Sequence, residues 1–501
     1  MGTITKETET IVEGERVSGI LLHPTSLPGH YGIGELGTEA RQFLDFLVAA
    51  GQKRWQVLPL GPTSYGDSPY QSFSAFAGNP LLISTERLLA DGLLLAADLD
   101  DLPAFPEGEV DYGWVITYKQ TLLRRAYRQA KEQQDDAAKP AWDAPWLDDY
   151  ALFMALKDRH DGAVWGAWES ALVRRESAAL AKARAELSDE IGFYRFCQER
   201  FFADWRDLKR AANERGIAIV GDLPIFVAYD SVDVWTHQEL FFLDDAARPT
   251  SVAGVPPDYF SETGQLWGNP LYRWDVMARD GYAWWVERLR TSLTLFDLVR
   301  IDHFRGFAAY WEIPAHEPTA INGRWVPGPG AAFFEAVREQ LGELPIIAED
   351  LGLITEDVLA LRDHFAFPGM KVLQFAPSAP DNVYLPHHYE PNCVVYTGTH
   401  DNDTTRGWWS AANPDERDFL ARYLGQRPAD ETIAWLLIRL AFSSVAQTAI
   451  VPLQDVLGLG SEARMNTPGT GGGNWAWRYD PARLTPTLQE RLRDLTQLYS
   501  R

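Results

Sequence analysis

A chain of 501 residues, 46% of them hydrophobic, can bury a large core; the usual residues-per-domain scale would divide it into three, unless it closes as one α/β barrel. Its formal charge of -24 repels phosphate backbones and anionic membrane surfaces, which excludes nucleic acid as a partner. Cys197 and Cys393 stand far apart with no metal-ligand spacing, so neither a disulfide framework nor a zinc site is expected. The first residues are polar and lack an apolar targeting core, and no run of about 18 apolar residues occurs anywhere, so the expectation is a cytoplasmic protein without a membrane partner.

Eight short apolar or β-branched runs, each closing on a polar or Gly/Pro cluster, predict strands. In chain order they are Gly19 to Leu22, Trp55 to Leu58, Ala218 to Gly221, Leu298 to Asp302, Ile346 to Glu349, Lys371 to Gln374, Val394 to Tyr396 and Ala449 to Pro452. Between the first two, Ala40, Phe43, Leu44 and Leu47 repeat with helical spacing and Gly51 supplies a stop. Eight strands with intervening helices fit a closed parallel (β/α)8 barrel, whose chemistry sits at the carboxyl ends of its strands; an open doubly wound sheet is the competing architecture.

Two intervals are too long to be simple crossovers. Residues 88–210, rich in Ala, Arg, Glu and Leu, predict a mainly helical insertion. Residues 226–290, rich in aromatics, Pro and Gly, predict long loops followed by helix around Trp284 to Leu289, and loops of that length usually serve function. Past the eighth strand about fifty residues remain, with a closing helix near Leu488 to Leu498 and no room for a separate C-terminal β-sandwich.

Three strand ends carry carboxylates. Along Leu298–Asp302 the alternation of side chains puts Arg300 and Asp302 on one face, Val299 and Ile301 on the other. A cation beside Asp302 favours its ionised form, as a nucleophile needs; a purely structural ion pair is the alternative. Ile346–Glu349 leaves an apolar strand into Glu349 and Asp350, where a Glu in a partly dry site suits a general acid; a helix cap by Asp350 beside a solvated Glu is the alternative. Val394–Tyr396 runs on through Thr-Gly-Thr to His400 and Asp401 at the same rim. The histidines are too scattered to complete a metal site, so no metal is expected. Three acids at one barrel mouth match the needs of sugar-bond cleavage, in which two flank the bond and a third holds hydroxyls. Gly469-Thr-Gly-Gly-Gly473 follows no strand and precedes no Lys-Ser/Thr pair, and reads as a tight loop positioning Asn466 and Asn474 rather than as a phosphate cradle.

The segments GILLHPTSLP (Gly19 to Pro28), SYGDSPYQSFSAFAGNP (Ser64 to Pro80), GDLPIFV (Gly221 to Val227) and GVPPDYFSETGQLWGNP (Gly254 to Pro270) resemble the amylomaltase, or disproportionating enzyme, family of the α-amylase clan, and the resemblance spans nearly the whole chain. It implies a (β/α)8 barrel and a cofactor-free 4-α-glucanotransferase acting on malto-oligosaccharides, amylose or starch with glucose acceptors, as a monomer or weak oligomer. Position by position it implies Asp302 as nucleophile, Glu349 as general acid/base and Asp401 as transition-state stabiliser. Asp222, Arg300, His303 and His400 would form the hydroxyl-binding shell, with Ser68, Tyr70, Phe375 and Asn466 around it. The loop from Gly254 to Pro270 would fold over the donor, with Asp258, Gln265 and Trp267 touching glucan. Tyr65 and Tyr112 resemble a secondary glucan-binding patch, packed surface tyrosines being the alternative. Rival functions with the same acids are a hydrolase and a silent glucan-binding protein.

Overall fold

The eight apolar runs become eight parallel strands, because side chains on both faces of each must be buried, one set inside the barrel and one beneath helices. The computed structural model describes residues 15–133, 143–257 and 261–501. The barrel strands are β1 (Val17–Leu21), β2 (Arg54–Gln56), β3 (Ala218–Pro224), β6 (Leu298–Asp302), β9 (Ile346–Ala348), β10 (Gly369–Val372), β11 (Cys393–Tyr396) and β12 (Thr448–Pro452). Four others, β4 (Ser251–Val255), β5 (Gln265–Pro270), β7 (Ala309–Pro314) and β8 (Arg324–Pro327), form a separate antiparallel sheet in the order β5-β4-β7-β8.

The barrel sheet runs β10-β11-β12-β1-β2-β3-β6-β9. Its two ends meet at a seam where the Ala348 N–H donates to the Pro368 carbonyl (2.9 Å) and the Met370 N–H donates to the Asp350 carboxylate (2.7 Å). Asp350 also accepts from Arg362 at 2.5 Å. It therefore ties β9 to β10 and does not cap a helix. Gly369 permits this approach, since a Cβ there would stand 2.4 Å from the Asp350 carboxylate.

Inside the barrel Leu21, Val220, Ile347, Val372, Tyr396 and Ile450 pack together, and the Tyr396 hydroxyl donates to Gln56 (2.8 Å). Val299 and Ile301 point outward into the main core with the helix Thr38–Ala49, whose Ala40, Phe43, Leu44 and Leu47 are buried as their spacing predicts. Gly51, at φ 73°, lies just past that helix.

Between β2 and β3 stand the helices Tyr112–Gln133, Leu147–Arg159, Ser177–Glu186 and Ser188–Glu214. The stretch 226–290, read from the sequence as loop before helix, is in part β4 and β5; the helix is Ala283–Leu295. Gly and Pro in Gln265–Pro270 are poor strand formers, and pairing with β4 overrides that preference. After β12 the described chain forms no further strand and ends on the helix Pro486–Leu498. Among the described residues no helix is long and apolar enough to cross a membrane.

Candidate active site

The register of β3 against β6 sets Asp222 opposite Arg300. The Arg300 guanidinium contacts both Asp222 oxygens at 2.7 Å and Asp302 at 2.9 Å. The Asp222 side chain is sealed from solvent, whereas that of Asp302 is 29% exposed at the strand end. Asp302 is thus the member of the trio open to an incoming molecule. Burial pushes the Asp222 carboxyl up against the pull of Arg300. Burial likewise opposes the charge on Arg300, but the two carboxylates outweigh it and hold its pKa well above the usual value. Tyr70 donates to Asp222 at 2.8 Å, and burial keeps that hydroxyl protonated.

Glu349 follows β9 directly. Its carboxylate accepts from the backbone N–H of His303 (2.6 Å) and of Leu351 (2.8 Å). The first bond needs His303 in the left-handed region, φ 51° and ψ 49°, a conformation that costs a non-glycine residue about 1–2 kcal/mol. That backbone kink links the residue after Asp302 to Glu349. Burial above all, and then the nearby Asp302 charge, push the Glu349 carboxyl up to about 8, against the pull of Arg300 and of the two N–H donors. Burial also pushes the His303 imidazole down to about 4, and its buried Nε2 has no hydrogen-bond partner among the described residues. A neutral ring with an unused nitrogen beside two acids is suited to a ligand hydroxyl.

Asp401, after β11, accepts from the Asn466 amide at 2.6 Å and stands 3.4 Å from His400 Nε2. Arg464 grips the Asp401 carbonyl (2.8 Å). The loop carrying Asn466 is closed by Asn474, which accepts from the Thr467 N–H at 2.9 Å, as the glycine-rich sequence predicts. His400 stacks on Tyr70 with centroids 5.1 Å apart, and the buried Trp475 ring packs on both, at 5.8 Å from Tyr70 and 6.0 Å from His400. Ser68 accepts from the Tyr70 N–H (3.2 Å), and Phe375 lies in the turn after β10 among the residues packed on the barrel interior. On β5, Gln265 accepts from the Trp267 indole (3.1 Å), whose ring meets His303 edge-on at 4.8 Å. Asp258 lies outside the described residues.

The two tyrosines expected at a peripheral patch part ways. Tyr65 is 78% exposed, whereas Tyr112 is half-buried and its hydroxyl donates to the Trp475 carbonyl at 3.0 Å. Trp475 escaped the sequence reading; its one sequence signal is its place at the end of the glycine-rich loop that presents Asn466.

A parallel barrel whose mouth gathers three strand-end carboxylates, an internal arginine and a wall of aromatic rings defines a sugar-processing enzyme of the (β/α)8 class. A family model described as 4-alpha-glucanotransferase matches residues 22–485. The chain is 54% identical over 503 residues to the 4-alpha-glucanotransferase of Thermus thermophilus, covering 98% of this chain and 100% of that one. It is 52% identical over 497 residues to the Synechocystis enzyme of the same name, covering 97% and 98%. Among solved structures, the amylomaltase from Streptococcus agalactiae in complex with acarbose superposes with a TM-score of 0.94 at 40% identity, covering 97% of this chain and 100% of that one. The chain belongs to the 4-alpha-glucanotransferase family.

Proposed function

We propose that this barrel mouth moves α-1,4-glucan segments to the 4-hydroxyl of a glucose or glucan acceptor by a retaining double displacement. Malto-oligosaccharides, amylose or starch are the donors, and the cytoplasm is the site of action, a reading that two buried, unpaired thiols suit. The observation that carries the reading is Glu349: a buried acid, its carboxyl pushed up by burial and the Asp302 charge, hydrogen-bonded to the residue that follows the more open, arginine-held Asp302.

In the first step protonated Glu349 gives its proton to the glycosidic oxygen, the bond from that oxygen to the anomeric carbon breaks, and an Asp302 oxygen takes its place on the carbon. Burial keeps Glu349 protonated before this step, and the His303 and Leu351 N–H groups lessen the cost of the carboxylate after it. In the second step that carboxylate takes the proton of the acceptor hydroxyl, whose oxygen displaces Asp302. Asp401, held by Asn466, faces positive charge developing on the sugar ring, while His303 and His400 hold its hydroxyls; Asp222, sealed against Arg300 and Tyr70, keeps those two side chains in place. Tyr65 offers an exposed ring to a longer glucan.

Incubation with maltotriose tests the reading. Transfer gives a ladder of shorter and longer oligosaccharides, whereas shortening alone would mean a hydrolase and no products a binding protein. Asp302→Ala and Glu349→Ala should each abolish the ladder while circular dichroism stays native; full activity in either variant overturns its assignment.

A further inference from the structure

The segment entering the helical insertion is zipped to the chain leaving the glycine-rich loop. The Val110 N–H donates to the Ala476 carbonyl (2.7 Å), the Arg478 N–H donates to the Gly108 carbonyl (2.9 Å), and Glu109 faces Trp477 as an antiparallel bridge. The last link of this zipper is the Tyr112 hydroxyl on the Trp475 carbonyl. Trp475 itself sits in the left-handed region at φ 64°, where a bulky residue stays only if its surroundings hold it. Two backbone contacts do so, one on its carbonyl from Tyr112 and one from its own N–H to the Met465 carbonyl (2.7 Å). The residue is 5% exposed, and its indole packs on both Tyr70 and His400.

We infer that Tyr112 and Trp475 form a positioning pair: the Tyr112 hydroxyl holds Trp475 in its strained conformation, and the indole thereby fixes the Tyr70 and His400 rings that line the donor sugar. The inference rests on the proposed function of the barrel mouth that those two rings line. Neither partner touches the reacting atoms. Tyr70 gives the pair its lever, since the same side chain packs on Trp475 and donates to Asp222, the buried partner of Arg300. Through Trp475 the helical insertion is therefore coupled to the barrel's charge cluster, and Tyr112 acts on chemistry through its hydroxyl whether or not its ring also meets a glucan.

Tyr112→Phe is the decisive variant, because it keeps the ring that stacking would use and removes only the hydroxyl. The expected result is a three- to tenfold loss of kcat for maltotriose transfer with KM within twofold of the parent, the pattern of disturbed catalytic geometry rather than lost binding. In a Trp475→Phe background the same change should add no further loss, as a shared pathway requires. Unchanged kinetics, a rise in KM alone, or additive losses would each overturn the pairing. A readout without substrate separates this from failure of the proposed function. In protein labelled with 5-fluorotryptophan, the 19F resonance that Trp475→Phe deletes should shift or broaden in Tyr112→Phe, and an unmoved resonance refutes the hold on Trp475 even if no transfer is seen. Should Trp475→Phe not fold, the kinetics of Tyr112→Phe alone decide.

Discussion

Glu349 is pulled two ways, and the balance predicts its pH behaviour. Burial and the Asp302 charge favour its neutral form, while Arg300 and two backbone N–H groups favour the anion, leaving it near 8. Because transfer begins with protonated Glu349, kcat/KM for maltotriose should be level around neutrality and fall about tenfold per pH unit above roughly 8. A level profile up to about pH 10 would remove Glu349 from the acid role. The same displacement enters stability. With its folded pKa raised above the ordinary 4.5, native Glu349 keeps a proton that the unfolded chain has released. That contribution is fully present below about 4.5 and is lost as pH rises through 8. The parent should therefore lose more stability than Glu349→Gln between about pH 6 and 9 in urea unfolding, the Gln variant having no such proton to release.

At the scale of elements, the sheet β5-β4-β7-β8 carries Trp267 to the barrel mouth, where its ring meets His303. A double displacement favours transfer over hydrolysis only while water is kept from the intermediate and an acceptor hydroxyl is held in line. Trp267→Ala, which uncovers His303, should therefore raise the ratio of glucose released by water to glucose transferred, measured on maltotriose by chromatography; an unchanged ratio would deny the shielding role. This sheet was the part of the fold least legible in the sequence. The barrel strands announce themselves because they are buried on both faces and carry short β-branched or apolar runs, whereas Gln265–Pro270 holds Gly268 and Pro270 and becomes a strand only by pairing with β4. The strand-end positions of Asp302 and Glu349 were legible for a related reason, each standing where an apolar run stops, and Asp401 follows the polar turn after Tyr396. Asp350 at the seam, the left-handed turn at His303 and the Tyr112 bond to Trp475 were not, since each depends on a partner that only the closed barrel brings near. Tyr112 and Trp475, for instance, are 363 residues apart.

Over the whole molecule the acidic surface and the acidic site act at different ranges. The formal charge of -24 sets up a long-range field, but at physiological salt that field decays over about 8 Å, and a neutral malto-oligosaccharide has no charge for it to steer. The carboxylates of the mouth work at contact distance and are in part sealed, with Asp222 and Arg300 buried against each other, so mobile ions screen them little. Two consequences separate. Raising salt from about 0.02 to 0.5 M should leave kcat/KM for maltotriose within twofold, because neither approach nor chemistry passes through the screened field. A glucan carrying phosphate esters should instead be repelled at low salt and recover as salt rises, since its approach must cross the negative surface. A strong salt dependence for the neutral substrate would show that a flexible, exposed charge takes part in binding, and would shift the site of recognition away from the Asp222, Arg300 and Asp302 cluster.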